Sequence, residues 1–230
     1  MKTTGAKKKP FEKWDIDALR SEFGLRRVRT IKPLEVWLEQ AQKAIEQITK
    51  HERDFITFYH NYLRENVDYW NEEDVKCYFI GPMLAVVNFQ SEEYNSFFNR
   101  KVSAVVSNEE VGGVVDFVVA TGRANPKEPF FFLHEYKKER VRDNDPLGQL
   151  LIAMLVAQTL NTSVHPIYGC YVVGRNWFFV VLDSTEYAVS KAFDATENSV
   201  FEIVAILKQA KVYIEEILAL APVLPAKKLV

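Results

Sequence analysis

The run "GGVVDFVVAT" (112–121), followed after a short connection by "PFFFLHEYKK" (129–138), decides the fold. Both runs are rich in Val and Phe and bounded by Gly and Pro, which predicts two strands. Between them "TGRANPKEP" supplies Gly122, an Asn-Pro pair and a second proline, the chemistry of a long hairpin loop. The second run drives four apolar residues, Phe130 to Leu133, directly into Glu135 and Lys137. Side chains alternate across a strand, so Glu135 and Lys137 share a face with Leu133 and Phe131, while His134, Tyr136 and Lys138 point the other way. The first run holds a single acid, Asp116, in apolar surroundings, and a buried carboxylate is costly without a cation or strong donors beside it. Pairing the strands brings Asp116 toward Glu135 and Lys137. Two converging carboxylates need positive charge between them, and a hard divalent ion such as Mg²⁺ or Mn²⁺ suits oxygen ligands. Lys137 beside such an ion would orient or deprotonate a water. A salt-bridged strand edge uses the same Glu-x-Lys triplet, so the triplet alone does not decide between the two.

Working outward, "SFFNRKVSAVVS" (96–107) predicts a strand ahead of the pair, and "NDPLGQLLIAMLVAQTLN" (144–161) a helix behind it, with Pro146 in its first turn. "IYGCYVVG" and "NWFFVVLD" read as two further strands meeting at Gly174-Arg175. A last helix near 199–219 opens on a capping-box pattern, Ser199 with Glu202. Upstream, Leu34, Trp37, Leu38, Ala41, Ala44, Ile45 and Ile48 recur at helical steps in a pattern that runs from about 33 to 69. Another helix starts at Asn71, carries Glu72, Glu73 and Asp74 in its first turn, and continues through Phe79 and Met83 with a bend at Pro82. This order predicts an α+β fold around one mixed sheet. Residues 1–12 read as a disordered tail. Trp177, Phe178 and Phe179 read as core, and His134 as a packing or surface residue. Trp37, Tyr59 and Tyr62 read as helix-packing residues, although aromatics of this kind also stack on bases.

Composition narrows the class. A chain of 230 residues can bury a full core, and 48% hydrophobic with 26% charged residues is ordinary for a globular domain. A net charge of -2 excludes a polycation that coats nucleic acid nonspecifically. Cys77 and Cys170 belong to no metal or redox spacing and read as core residues, which fits a reducing compartment. The basic start has no apolar stretch behind it, and the longest apolar run, "LLIAMLVA" (150–157), is too short for a membrane span. The expectation is a soluble cytoplasmic protein with no membrane partner.

Taken together, "GGVVDF…FFFLHEYKK…GQLLIA" resembles the PD-(D/E)xK nuclease superfamily: an Asp in one strand, Glu-x-Lys in the next, then a helix. The resemblance covers about 70–185. It implies a restriction-endonuclease-like core, a central mixed β-sheet flanked by helices; outside it lie a helical segment (13–69) and a C-terminal helix (186–230) expected to pack on the core. It implies metal-dependent hydrolysis of phosphodiester bonds in nucleic acid, foremost as an endodeoxyribonuclease with Mg²⁺ or Mn²⁺. Asp116 and Glu135 would then hold the ion with the backbone carbonyl of Tyr136, and Lys137 would position the water. Gln149, in Gln149-x-x-x-Ala153, matches the glutamine helix of several branches. Glu72 is the further metal-site acid, with Glu73 in reserve, although acids in a first helical turn also suit the helix dipole. No proline precedes Asp116; Val115 stands there. Arg123, Lys127, Lys138, Arg140 and Arg142 form a basic run that would hold phosphates, or simply a solvated rim. The alternative is a non-catalytic protein- or nucleic-acid-binding module on the same fold, meeting a protein partner through its N-terminal helices.

Overall fold

The computed structural model describes residues 9–137, 145–161 and 165–220. Helix α1 (Ile16–Phe23) is capped by Asp15, whose side chain accepts the Ala18 N–H, and stops at Gly24 (φ 69). A two-residue strand β1 (Arg26–Arg27) leads into α2 (Lys32–Ala44) and α3 (Lys50–Asn66). The pattern from 33 to 69 is therefore not one helix. Ile48 turns extended, and Thr49 restarts the chain with a capping box to Glu52. Helix α4 (Glu72–Val75) begins where expected, with the Asn71 side chain accepting the Asp74 N–H. Residues Lys76–Ile80 form a π-turn, and α5 (Gly81–Val87) follows with Pro82 near its start.

Three long strands come next: β2 (Tyr94–Val106), β3 (Glu109–Thr121) and β4 (Lys127–Lys137). Helix α6 (Pro146–Leu160) precedes β5 (Ile167–Val173), β6 (Asn176–Asp183), β7 (Glu186–Val189), β8 (Phe193–Asp194) and α7 (Ser199–Leu220). The sheet runs β1-β7-β6-β5-β4-β3-β2, with β8 paired to β6. Only β1/β7 and β4/β5 are parallel, which makes the fold α+β with a mixed sheet flanked by helices. Parallel neighbours need a crossover, and α6 supplies it between β4 and β5.

Each face of the sheet buries its own core. Trp37, Ile56, Phe79, Met83, Phe132 and Ile203 fill the side of α2, α3, α5 and α7, where the Trp37 indole donates to the Ile206 carbonyl (2.8 Å). Leu133, Leu151, Met154, Val118 and Val180 fill the side of α6 and α1. Helix α6 is buried from Leu147 through Ala157, which is why its sequence lacks a polar stripe.

Several expectations are corrected here. Residues 9–12 are ordered: Lys9 bridges Val111, and Phe11 is buried against Gly113, where a Cβ would come within 2.5 Å of the ring. Residues 1–8 lie outside the described residues. Strand β1 pairs with β7, so the sheet recruits chain from both sides of the expected 70–185 core. Pattern reading misses both because strands of two and four residues carry too little periodicity. Ser199 is the first helical residue, and its hydroxyl donates to the Asp194 carbonyl (2.6 Å) rather than capping Glu202. Cys77 is exposed, not core, while Cys170 is buried. In β4 the register skips Phe131, since Val119 faces Phe132 and Ala120 faces Phe130. That bulge puts Phe131 in the same core as Phe132, so Glu135 shares its face with Leu133 but not with Phe131. Among the described residues, no helix is long and apolar enough to cross a membrane.

Candidate functional site

The site forms where two strands part. The last pair between β3 and β4 is Phe117 with His134, whereas β4 stays with β5 as far as Lys137 and Val173. Opposite Asp116, β2 takes a left-handed residue at Asn99 (φ 50), and the pairing of β2 with β3 skips that level. The gap would leave the Tyr136 N–H without a ladder partner. Instead the Asp116 carboxylate reaches across and accepts it (Oδ2, 3.0 Å). A charged acceptor closes the ladder where a carbonyl would otherwise stand.

Glu135 comes next on β4. It is 7% exposed, and its carboxylate meets the Lys137 ammonium at 2.8 Å. Burial and the neighbouring Asp116 charge push the Glu135 carboxyl up to about 7, against the pull of Lys137 and Lys76. For Lys137, burial favours the neutral amine, but Glu135, Glu72 and Asp116 outweigh it and hold the ammonium firmly charged. Asp116 thus stands close enough to Glu135 to disfavour charge on it.

The third contributor is Lys76, which sequence reasoning did not single out. Its ammonium lies 2.7 Å from Glu72, 3.2 Å from Glu73 and 3.2 Å from the other oxygen of Asp116. It also sits 5.6 Å from the centre of the Tyr136 ring. Burial works against its charge, but Glu72 and Asp116 prevail and raise its pKa. The π-turn explains how one helix serves two masters. Gly81 N–H bonds back to the Lys76 carbonyl, five residues away, so one extra residue rotates everything after it by about 100°. Glu72 and Lys76 can then face the strands' charged end while Phe79, Ile80 and Met83 enter the core. The available signal was Glu72-x-x-x-Lys76, an ordinary helical ion-pair spacing.

Behind β4, Tyr136 is buried and its hydroxyl contacts His134 Nδ1 at 2.8 Å. Burial keeps the His134 imidazole well below the usual histidine range, so it is neutral, and it packs in a tilted contact with Trp177. His134 is a packing residue. Gln149 is buried on α6, and its amide nitrogen has no hydrogen-bond partner among the described residues. No hydrogen bond among the described residues joins it to the carboxylates.

The structure therefore brings together Asp116, Glu135, Tyr136, Lys137 and Glu72. It does not bring in the whole basic run. Arg123 and Lys127 lie exposed at the other end of β4, about 30 Å from Lys137 along the strand. Lys138, Arg140 and Arg142 lie outside the described residues. Beside Lys137 a cleft of about 100 Å³ opens, lined by Val75, Ile80 and Val172 together with Trp70, Asp68 and Glu72.

In donor chemistry the site suits a hard divalent ion. Asp116, Glu135 and the Tyr136 carbonyl offer oxygen only, and the mutual repulsion of the two acids is what a cation would relieve. Among the described residues, no three His, Cys, Asp or Glu side chains are grouped to hold an ion unaided. Water or substrate oxygens would have to complete the shell. Compared with known proteins, no family model matches the chain and no curated protein is significantly similar to it.

Proposed function

We propose that this chain is a metal-dependent nuclease with a restriction-endonuclease-like core, acting on phosphodiester bonds in nucleic acid, DNA foremost. One observation carries the reading: β3 and β4 separate at Asp116, and Glu135 and Lys137 stand at that opening beside Glu72. A surface ion pair needs no such arrangement. It calls for neither a carboxylate inside an apolar strand nor a glutamate buried to 7% exposure.

Asp116, Glu135 and the Tyr136 carbonyl would hold Mg²⁺ or Mn²⁺, with Glu72 as the further acid. The bound ion would supply Lewis-acid stabilisation of the phosphate and of the leaving oxygen. The chain's own residues do the rest. Asp116 is fixed by the Tyr136 amide and cannot swing away from the opening. Lys137, kept charged by the acids around it, orients the attacking water and offsets negative charge as it grows on the phosphate. The partial burial of these side chains strengthens their interactions.

The test is nicking of supercoiled plasmid and cleavage of single-stranded oligonucleotides in Mg²⁺ or Mn²⁺, with wild type beside Lys137→Ala. Cleavage by wild type alone supports the reading, and equal cleavage by both overturns it. One observation favours a second reading, a binding module without catalysis: Lys76 already neutralises Glu72 and Asp116 from within the chain. Calorimetry with Mn²⁺ separates the two, because the module would take up no ion and cut nothing.

A further inference from the structure

The cleft beside Lys137 differs in character from the carboxylate site it adjoins. Its lining combines apolar side chains, Val67, Val75, Ile80 and Val172, with the polar Asp68, Asn71, Glu72 and Lys137. A volume of about 100 Å³ has room for roughly seven to ten waters. That suits one flat ring system and is far too small for a base pair.

The aromatic side of the cleft is Trp70. It lies in the turn between α3 and α4, is partly buried, packs against the core and meets two tyrosine rings. Tyr62 meets it edge-on at 5.1 Å, and Tyr78 lies tilted at 5.6 Å. Around it the surface stays aromatic: Tyr69 is 87% exposed, Tyr78 46% and Tyr62 38%. A fixed indole at a cleft's edge, with tyrosines leading toward it, makes a stacking surface of the sort that binds bases without regard to sequence.

We propose that this cleft is a nucleobase pocket, in which one unpaired base stacks on Trp70 while its phosphate lies by Lys137. This rests on the nuclease reading, and it names the substrate class as single-stranded nucleic acid or an unpaired stretch of a duplex. Continuity argues for a base over any other flat group, since Lys137 and Glu72 belong both to the cleft and to the candidate centre. A base inside a duplex is stacked and paired, and reaching the pocket would require pulling it out of the helix. An unpaired strand enters without that cost.

Three of the four tryptophans are sealed in the core: Trp14 is 1% exposed, and Trp37 and Trp177 are 0%. Quenching of intrinsic fluorescence therefore reports on Trp70. The experiment titrates the full chain, with Ca²⁺ in place of Mg²⁺, with a mixed-sequence single-stranded oligonucleotide and with the blunt duplex made from it. Emission and the anisotropy of a labelled strand are read together. The single strand should quench the emission and bind at least about tenfold tighter than the duplex, given the usual strength of base–aromatic stacking. Trp70→Leu should weaken single-strand binding by roughly tenfold to a hundredfold, and Trp70→Phe should recover most of it. If Trp70→Leu does not fold by circular dichroism, the wild-type quench and Trp70→Phe still decide. Equal binding of strand and duplex with unchanged emission overturns the pocket. So does a folded Trp70→Leu with wild-type affinity. In either case, duplex cleavage that depends on Lys137 leaves the nuclease reading standing. A chain that neither binds nor cuts any nucleic acid loses both.

Discussion

Strand β4 begins and ends with a lysine, and the two ends behave differently. Lys127 opens the strand exposed, and among the described residues it forms no ion pair. Lys137 closes it with its side chain 17% exposed, bonded to a glutamate nearly buried beside it, in the field of Asp116 and Glu72. The residue type is the same and the strand is the same. What differs is whether the chain has spent burial and opposite charge on holding the group in place. A solvated lysine contributes little beyond solubility, whereas one held among acids in a half-dry opening is the more natural place for chemistry.

The sharpest way to break that contrast is to truncate both lysines. Lys137→Ala should keep the fold and lower plasmid nicking by about 10²–10³-fold, the usual cost of removing a group that stabilises transition-state charge. Lys127→Ala should leave nicking at the wild-type rate. Equal losses at both positions would erase the difference between the two ends.

A pH titration tests the same end of the strand without substitution. Glu135 ordinarily ionises near 4.5, and in the folded protein near 7. Its folded state thus holds a proton that the unfolded chain has already released. The stability this proton contributes is fully present below about 4.5 and is lost as pH rises to about 7. Metal-free protein should lose about 3 kcal/mol of unfolding free energy from this group across that window, read by urea melts. Mn²⁺ affinity should change the other way, rising about tenfold per pH unit up to about 7, because ion and proton compete for the same carboxylate. A flat stability profile would remove Glu135 from the coupled pair.

Lys76→Met comes next in size. Removing the ammonium leaves Glu72 and Asp116 facing each other half-buried, at a cost of about 1–3 kcal/mol in metal-free buffer. Mn²⁺ should restore more stability to this variant than to wild type, as followed by thermal melts with and without the ion. Identical restoration would mean that lysine and metal do not compete for one position. The smallest expected effect on stability is that of Glu72→Gln, which gives up the helix-dipole contact and the ion pair with Lys76, at about 1 kcal/mol or less. If that is all Glu72 does, nicking stays normal. A severe loss of nicking at that small cost in stability would make it a ligand.

Much of this was legible in the sequence. The alternation and turn chemistry of 94–137 foretold three strands and the long hairpin, and "FFFLHEYKK" placed the charged end beside Asp116. Lys76 was hidden because an i, i+4 Glu–Lys pair looks like any solvated helix face, and only the fold carries that face to β3. Trp70 was hidden for a related reason, since one aromatic after a helix says nothing of the cleft beside it. Arg123 and Lys127 lie on the solvated rim that the sequence also allowed. Proximity in sequence to a hairpin suggested proximity to the site, but a strand of eleven residues separates its two ends by more than the width of the site. Distance along an extended strand grows fast.

The π-turn at Lys76–Ile80 also bears on how this chain can change. A helix with one residue fewer in that segment would close into regular α geometry and hold its hydrogen bonds better. The core residues of α5 would keep their seats, anchored by the sheet beneath them. Glu72 and Lys76 would then be wound about 100° round the axis, out of reach of Asp116. A deletion of one residue there would turn the acidic helix away from the strands. The length of this turn therefore sets whether Lys76 can reach Asp116 at all.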